Sequence, residues 1–365
     1  MSSINKKSIA KIVGILAVIA ILAILIVPLL TPKSVQINGA GSSFIAPLMS
    51  SWIDDYGNVN DQVTLNYNSV GSGSGIALLK NETVYFGASD APLSTADDTA
   101  FQNAVHIPMT VGAIVVAYNI PDMTATLKLS GDVIAGIFMG KITKWNDPAI
   151  VALNTGVTMP DKDITVAHRS DGSGTTYGFT DYLSHVNATW KTDYGTAKTI
   201  DWAVGQGGKG NEGVTNVIIQ NDYSLGYIEL AYAIENNIPH ADLQNQNGDF
   251  VSATTSAIQK AMDNSAGSLP KGTESWSTIS LVDAPGSGSY PIISFTYVIV
   301  FQDLHNLPDM ATAQALYDFL WWAIHDGQKD ADPLHYVALA PGVVSINVAS
   351  LNGLTYNGEA LTYST

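Results

Sequence analysis

Residues 164–183 read ITVAHRSDGSGTTYGFTDYL, in which an apolar run is followed by a polar turn and then by a helical pattern. Residues 164–167 predict a strand and residues 175–183 predict a helix, and Arg169 stands at the start of the turn between them. A helix N-terminus presents unpaired N–H groups and about half a positive charge, and glycine lets a ligand approach the backbone. The stretch is therefore a candidate anion site.

Two more connections have the same composition and the same place between a strand and a helix. Residues 39–44, GAGSSF, follow a strand predicted at residues 35–37, and residues 71–75, GSGSG, follow a strand predicted at residues 63–67. One such connection alone is ordinarily a turn with a helix N-cap. Three of them, one with an arginine, favour a shared anion site, because parallel strands end at one edge of a sheet.

Apolar runs alternate with helical patterns along the chain after residue 34. This alternation predicts an α/β protein with mainly parallel sheets, and 365 residues are enough for two domains. Strands are predicted at residues 35–37, 63–67, 85–88, 113–118, 164–167, 226–228 and 292–301. Helices are predicted at residues 44–56, 75–79, 133–139, 149–153, 175–183, 214–219 and 311–324.

The charge balance excludes nucleic acid as a partner. The chain has 16 basic and 32 acidic residues and a net charge of −16; without the three lysines before residue 12 the net charge is −19. Nucleic acid requires a basic surface. Solvent screens charges beyond about 8–10 Å, so a local anion site remains compatible with an acidic surface. Because the chain has no cysteine, disulfides, thiolate metal sites and a cysteine nucleophile are excluded.

The N-terminus has the pattern of a membrane segment. Residues 12–30 carry no charge and follow a basic segment, residues 1–11, that contains Lys6, Lys7 and Lys11. As a helix, such a run spans roughly 28 Å, enough to cross a bilayer core. The lysines place residues 1–11 in the cytoplasm and the rest of the chain, after a linker at residues 31–34, outside the cell membrane. We expect a retained anchor; a cleaved signal peptide, which would leave a secreted protein, is the alternative.

Sequence patterns of enzymes are weak in this chain. Residues 205–210, GQGGKG, formally match the dinucleotide-binding pattern G-x-G-x-x-G, but the strand before them is only a few residues long. None of the Gly/Ser connections matches the G-x-S-x-G nucleophile elbow, and the seven histidines lack the spacing of metal ligands. The sequence therefore predicts no enzyme, no catalytic residue, no metal site and no cofactor.

An ordered series of motifs resembles the substrate-binding protein of the phosphate-specific ABC transporter family. The series covers most of the chain from about residue 37 to the region of residue 344. It comprises residues 39–47 (GAGSSFIAP), 71–72 (GS), 86–94 (FGASDAPLS), 140–147 (GKITKWND), 169–175 (RSDGSGT), 207–211 (GGKGN) and 226–229 (GYIE). The resemblance implies a monomeric extracytoplasmic receptor that binds inorganic phosphate and delivers it to ABC transporter permease subunits.

The resemblance also implies an architecture. It is the two-lobed, type II periplasmic-binding-protein-like α/β fold, with the ligand in a cleft between lobes that close by a hinge. Lobe I would comprise residues 35–110 and 294–365, and lobe II residues 111–293. The N-terminal transmembrane helix would precede lobe I and hold the receptor near its permease.

Phosphate ligands follow from the resemblance, one position at a time. Ser43 stands where the family has a threonine and keeps the hydroxyl, and Phe44 would contribute its backbone N–H. Asp171 would support the site by pairing with the arginine. The full set of implied phosphate-binding residues is Ser43, Phe44, Ser72, Asp90, Arg169, Ser173, Gly174 and Thr175.

Asp90 is the residue that distinguishes between oxyanions. A carboxylate repels an anion unless that anion has a hydrogen to donate, as phosphate has at neutral pH and sulfate has not. With sulfate, the carboxylate would be a buried acceptor without a donor, at a cost of several kcal/mol. The alternatives are a receptor for another oxyanion, such as sulfate or molybdate, and a secreted phosphatase with a serine nucleophile.

Overall fold

The computed structural model describes residues 34–101, 103–265 and 269–364. The predicted membrane segment at residues 12–30 and the basic segment before it lie outside these ranges. Within the ranges, no helix combines the length and the apolar character that crossing a membrane requires.

Strands and helices alternate over most of the described chain. The strands are β1 (Val35–Gly41), β2 (Val63–Ser69), β3 (Phe86–Ser89), β4 (Ala104–Asn119), β5 (Lys128–Leu129), β6 (Thr165–Arg169), β7 (Gln206–Gly208), β8 (Ser224–Glu229), β9 (Asp242–Gln244), β10 (Phe250–Val251), β11 (Ile293–Phe301), β12 (Thr355–Tyr356) and β13 (Glu359–Ala360). The helices are α1 (Ala46–Val59), α2 (Ser72–Lys80), α3 (Thr95–Phe101), α4 (Gly131–Phe138), α5 (Pro148–Leu153), α6 (Gly174–Val186), α7 (Ala188–Asp193), α8 (Gly210–Gln220), α9 (Leu230–Glu235), α10 (Thr255–Ser265), α11 (Met310–Ala323) and α12 (Pro341–Leu351).

One sheet of eight strands organises the molecule, in the order β2-β1-β3-β11-β4-β8-β6-β7. The strands β1, β2 and β3 are parallel in one half, and β6, β7 and β8 are parallel in the other. Between them, β4 is antiparallel to β11 over residues 104–113 and antiparallel to β8 over residues 114–119. The prediction of mainly parallel sheets is therefore wrong for the centre, because β4 runs through both halves and β11 returns beside it.

Helix α1 packs against β2 through one apolar face. In α1, the buried residues are Leu48, Met49, Trp52 and Tyr56, which recur at the three- to four-residue spacing of one helical face. The Trp52 indole N–H is satisfied as well, since it donates to the carbonyl of Gly327 at 2.7 Å.

The strand ends bring the predicted connections together. Because β1, β2 and β3 are parallel, they end at Gly41, Ser69 and Ser89 on the same edge of the sheet. The connections after β6 and β7 lie on the corresponding edge of the other half. The two edges are in contact, since the Gly73 N–H donates to the carbonyl of Gly172 at 2.8 Å. The candidate anion site lies where these edges meet.

Candidate anion-binding site

Arg169, at the end of β6, is 4% exposed. A buried guanidinium requires partners, and this one has two. Its Nε and Nη2 donate to the two carboxylate oxygens of Asp171 at 2.7 and 2.6 Å, and its Nη1 donates to Thr175 Oγ1 at 3.3 Å. A guanidinium carries five N–H donors. One N–H on Nη1 and one on Nη2 therefore have no partner among the described residues.

Asp171 fixes the orientation of that guanidinium. Burial alone would raise the pKa of the Asp171 carboxyl, but its bonds to Arg169 and to the Gly210 N–H hold this pKa below its ordinary value. The Asp171 carboxyl is thus ionised at neutral pH. Across the edge, Gly71 has a φ of +88°, and a Cβ there would lie 2.1 Å from Asp171 Oδ2. Only glycine allows this approach.

Asp90, directly after β3, is 2% exposed. Its Oδ1 accepts hydrogen bonds from Ser42 Oγ at 2.5 Å and from Thr296 Oγ1 at 2.8 Å. Among the described residues, its Oδ2 has only Ser72 Oγ, at 3.4 Å, which is too long for a strong hydrogen bond. Burial raises the pKa of Asp90 to about 6, although these hydroxyls and the charge of Arg169 act in the opposite direction. Asp90 Oδ2 therefore has capacity for another donor.

Ser72, the first residue of α2, joins the two halves at the site. Its Oγ accepts from the Asp90 N–H at 3.3 Å and from the Gly174 N–H at 3.1 Å. A Cβ on Gly174 would lie 2.6 Å from both the N and the Oδ2 of Asp90, so a side chain at this position is excluded. Ser173 is the N-cap of α6, and its Oγ accepts from the Thr176 N–H at 3.0 Å.

Ser43, in the connection after β1, is buried and reaches across to the other half. Its Oγ accepts from the backbone N–H of Asn211 at 2.9 Å and from Asn211 Nδ2 at 3.0 Å. The next amide, that of Phe44, donates to Ser42 Oγ at 2.9 Å. Because this N–H already has a partner, its place among the anion donors stays a prediction.

The structure thus brings the sequence-predicted residues into one contiguous cluster at the meeting edges. The cluster combines a guanidinium, buried hydroxyls and the N-termini of α2, α6 and α8 with the Asp90 carboxylate, whose Oδ2 retains acceptor capacity. Such a set can surround an oxyanion that also carries a hydrogen. Among the described residues, no group of three or more His, Asp or Glu side chains could hold a metal ion.

Comparison with known proteins identifies the family. A family model described as the PBP superfamily domain matches residues 30–326. The chain is 41% identical over 313 residues to the phosphate-binding protein PstS of Xylella fastidiosa strain Temecula1, and the match covers 86% of this chain and 84% of that protein. This chain belongs to the PstS phosphate-binding protein family.

A second relative and a solved structure extend the comparison. The PstS of Methanocaldococcus jannaschii is 38% identical over 337 residues, which cover 86% of this chain and 83% of that protein. The crystal structure of a phosphate binding protein from Stenotrophomonas maltophilia superposes with a TM-score of 0.63 at 18% identity, covering 88% of this chain and 99% of that one. The structural likeness shows the fold alone, and it confirms the predicted two-lobed, periplasmic-binding-protein-like α/β fold.

Three residues of the candidate site were not predicted from the sequence. Ser42 donates to Asp90 and lies beside the predicted Ser43, so the second hydroxyl of the same connection was a usable signal. Asn211 ends the GGKGN motif at residues 207–211, but the motif gives no indication of the role of its side chain. Thr296, in β11, is 206 positions from Asp90, and no local pattern points to it.

Proposed function

We propose that this chain is an extracytoplasmic receptor that binds inorganic phosphate and delivers it to an ABC permease for import. The relatives from Xylella fastidiosa and Methanocaldococcus jannaschii are named as phosphate-binding proteins, and each match spans most of both chains. PstS-like proteins are transport receptors and not enzymes. The observation that carries the proposal is the buried carboxylate of Asp90, which lies among the donors of the site and whose Oδ2 has only the long contact to Ser72 Oγ among the described residues.

Phosphate is held in this proposal by charge-assisted and neutral donors from both halves. Arg169 contributes its remaining N–H on Nη1 and on Nη2, which form a fork that can bind two phosphate oxygens. Its bonds to Asp171 support this, because they fix the plane of the guanidinium. The other proposed ligands are Ser43, Phe44, Ser72, Ser173, Gly174 and Thr175.

Asp90 accepts the hydrogen of the bound phosphate in this proposal. Its Oδ1 already has two short hydrogen bonds, so the ligand hydrogen goes to Oδ2. Sulfate has no hydrogen to donate at neutral pH, and its oxygen would face an ionised, buried carboxylate. Selectivity then depends on this repulsion as much as on attraction by the donors.

Closure of two lobes completes the proposed mechanism of binding. Lobe I comprises residues 35–110 and 294–365, lobe II residues 111–293, and the crossings near residues 110 and 293 act as the hinge. Contacts between Gly73 and Gly172 and between Ser43 and Asn211 support a closed arrangement in which the edges exclude water from the ligand. Release to the permease requires these contacts to open.

A membrane anchor at residues 12–30 is part of the proposal and rests on the sequence. The family implies a location outside the cytoplasm, and the three preceding lysines support cytoplasmic placement of residues 1–11. An anchored monomer stays close to its permease, so delivery occurs at a raised effective concentration.

Titration calorimetry of the full-length chain with phosphate, sulfate and molybdate tests this function. We expect one phosphate per chain, and sulfate binding at least about 100-fold weaker because an unmatched buried acceptor costs several kcal/mol. Equal affinity for sulfate would favour the broader oxyanion receptor. A chromogenic phosphate ester serves as the second assay: turnover that Ser173→Ala abolishes would establish a phosphatase instead.

A further inference from the structure

Three hydroxyl oxygens of the site, those of Ser43, Ser72 and Thr175, each accept two hydrogen bonds from N–H groups. Ser43 Oγ accepts two N–H groups of Asn211, and Thr175 Oγ1 accepts from Arg169 Nη1 at 3.3 Å and from Asn211 Nδ2 at 3.2 Å. Ser72 Oγ accepts the N–H groups of Asp90 and Gly174. Each oxygen therefore has two nitrogen donors.

That arrangement determines where each hydroxyl hydrogen can point. A serine or threonine hydroxyl has one O–H donor and two acceptor lone pairs, and the hydrogen rotates to suit its surroundings. When two N–H groups occupy both lone pairs, the O–H can act only as a donor, in the remaining direction. For Ser43 and Thr175, no acceptor for this hydrogen lies among the described residues, so the hydrogen is left for a ligand.

Asn211 donates hydrogen bonds to the hydroxyls of both Ser43 and Thr175. It is fully buried as the second residue of α8, where its backbone N–H belongs to the unpaired helix N-terminus. Its Nδ2 donates to both hydroxyls, and its Oδ1 accepts from the Glu229 N–H at 3.1 Å. The Glu229 bond fixes which end of the amide is oxygen, so the donor end is directed at the two hydroxyls.

Asn211 also joins the two halves of the molecule. Ser43 follows β1, whereas Thr175 and Asn211 begin helices that follow β6 and β7. A single amide group thus holds one hydroxyl from each edge, and it reaches both of them only when the edges are in contact. Opening the edges would separate Asn211 from Ser43 and free the Ser43 hydrogen to rotate.

We propose that Asn211 is a positioning residue that, on closure of the cleft, directs the hydroxyl hydrogens of Ser43 and Thr175 toward the anion. The proposal rests on phosphate binding at this site, as proposed above. Asn211 acts through the two hydroxyls without contributing a ligand contact of its own. Its removal should therefore cost affinity only while those hydroxyls are present.

Phosphate affinities of single and double variants of the full-length chain test this coupling. Asn211→Ala should weaken phosphate binding about 10-fold, as expected for the loss of hydrogen bonds that set a donor direction. In a Ser43→Ala, Thr175→Val background, the same change should cost less than about 3-fold, because nothing is left to orient. A purely structural role would give the same factor in both backgrounds and would overturn the proposal.

Asn211→Asp gives a second, nearly isosteric test. Its carboxylate accepts the hydroxyl hydrogens and turns them away from the anion, so affinity should fall by at least about 100-fold. The matched control is Asn216→Asp on the exposed face of α8, which adds the same charge and should change affinity by less than about 2-fold. If Asn211→Asp binds phosphate as tightly as the control, the proposal is wrong.

Thermal unfolding of every variant separates binding from folding. Should Asn211→Ala fail to fold, Asn211→Ser takes its place in the coupling test, since its hydroxyl is too short to reach both partners. Titration of the wild type in the same series distinguishes failure of the proposed function from failure of this inference. A wild type that binds no phosphate overturns the proposed function and this inference together, whereas binding without coupling overturns this inference alone.

Discussion

Arg169 and Asp171 are two positions apart, and their side chains form a bidentate pair with N···O distances of 2.7 and 2.6 Å in a buried setting. The carboxylate occupies the Nε and Nη2 edge of the guanidinium and leaves an N–H on each Nη. A fork held in this way loses little entropy when it binds an anion. The pair therefore prepares the strongest donor of the site before phosphate arrives.

Replacement of Arg169 should have a large effect on phosphate binding. Arg169→Ala removes two charge-assisted bonds to the anion and leaves Asp171 as an unpaired negative charge nearby. We expect a loss of at least about 2 kcal/mol in binding free energy, measured by calorimetry. Lys144→Ala is the control, because Lys144 is an exposed cation whose partner, Asp161, is also exposed. Equal affinities for the two variants would remove Arg169 from the site.

Asp90→Asn should narrow the preference for phosphate over sulfate. The asparagine Oδ1 can still accept from Ser42 and Thr296, while its amide nitrogen takes the place of Oδ2 and donates to an unprotonated oxygen. We expect the ratio of phosphate to sulfate affinity to fall by at least about 10-fold in competition titrations. Asp161→Asn, at an exposed position, should leave the ratio unchanged. An unchanged ratio in Asp90→Asn would refute this account of selectivity.

Gly174→Ala should strongly weaken phosphate binding through its effect on Asp90. The added Cβ would lie 2.6 Å from Asp90 N and Oδ2, closer than a Cβ atom approaches other heavy atoms in real structures, so the two edges would be forced apart. We expect affinity to fall by at least about 100-fold, since strain of several kcal/mol opposes closure. Gly57→Ala, in α1 with open space around it, is the control and should bind normally. Normal binding by Gly174→Ala would contradict the close approach.

The buried His106 should make the free energy of unfolding decrease at acidic pH. Its Nε2 accepts from the Leu93 N–H at 3.0 Å, and burial lowers the pKa of His106 to about 3. The folded state therefore binds this proton at a lower pH than the unfolded state does. The stabilisation is complete above about pH 6.5 and is lost as pH falls toward about 3, by about 4–5 kcal/mol.

Denaturant unfolding at a series of pH values measures this effect. His106→Gln lacks the titrating ring, so its unfolding free energy should fall less steeply between about pH 6.5 and pH 3 than that of the wild type. His325→Gln, at an exposed position, should follow the wild type. If the unfolding free energy of His106→Gln falls with pH as steeply as that of the wild type, His106 does not contribute to the pH dependence and this account of its burial is wrong.

Strand ends and helix starts that depend on local sequence were predicted correctly at the three Gly/Ser connections. The connections after β1, β2 and β6 could be found because a Gly/Ser turn after an apolar run specifies both a strand end and a helix start within a few residues. Ser43, Ser72 and Arg169 follow from those connections once the family resemblance assigns their roles. Ser43 and Ser72 lie together because β1 and β2 are parallel and end at one edge of the sheet. Arg169 joins them because the edge after β6 is in contact with that edge.

Features that depend on distant partners were missed. The prediction for β4 began at residue 113, whereas the strand begins at Ala104, because His106, Pro108 and Thr110 interrupt the apolar pattern. His106 and Thr110 can be buried because their polar atoms have hydrogen-bond partners. His106 accepts from the Leu93 N–H, and Thr110 donates to the Val337 carbonyl. The bond from Thr296 to Asp90 was missed for the same reason, since it joins β11 to the end of β3.

The affinity for sulfate as a function of pH tests the role of Asp90 most directly. Sulfate brings no hydrogen, so it requires Asp90 in the protonated form, and burial raises the pKa of Asp90 to about 6. Sulfate affinity of the wild type should therefore be highest below about pH 6 and fall roughly tenfold per pH unit above it, whereas that of Asp90→Asn stays flat. A flat wild-type profile would contradict the account, because the carboxyl would then have no part in discriminating between the two anions.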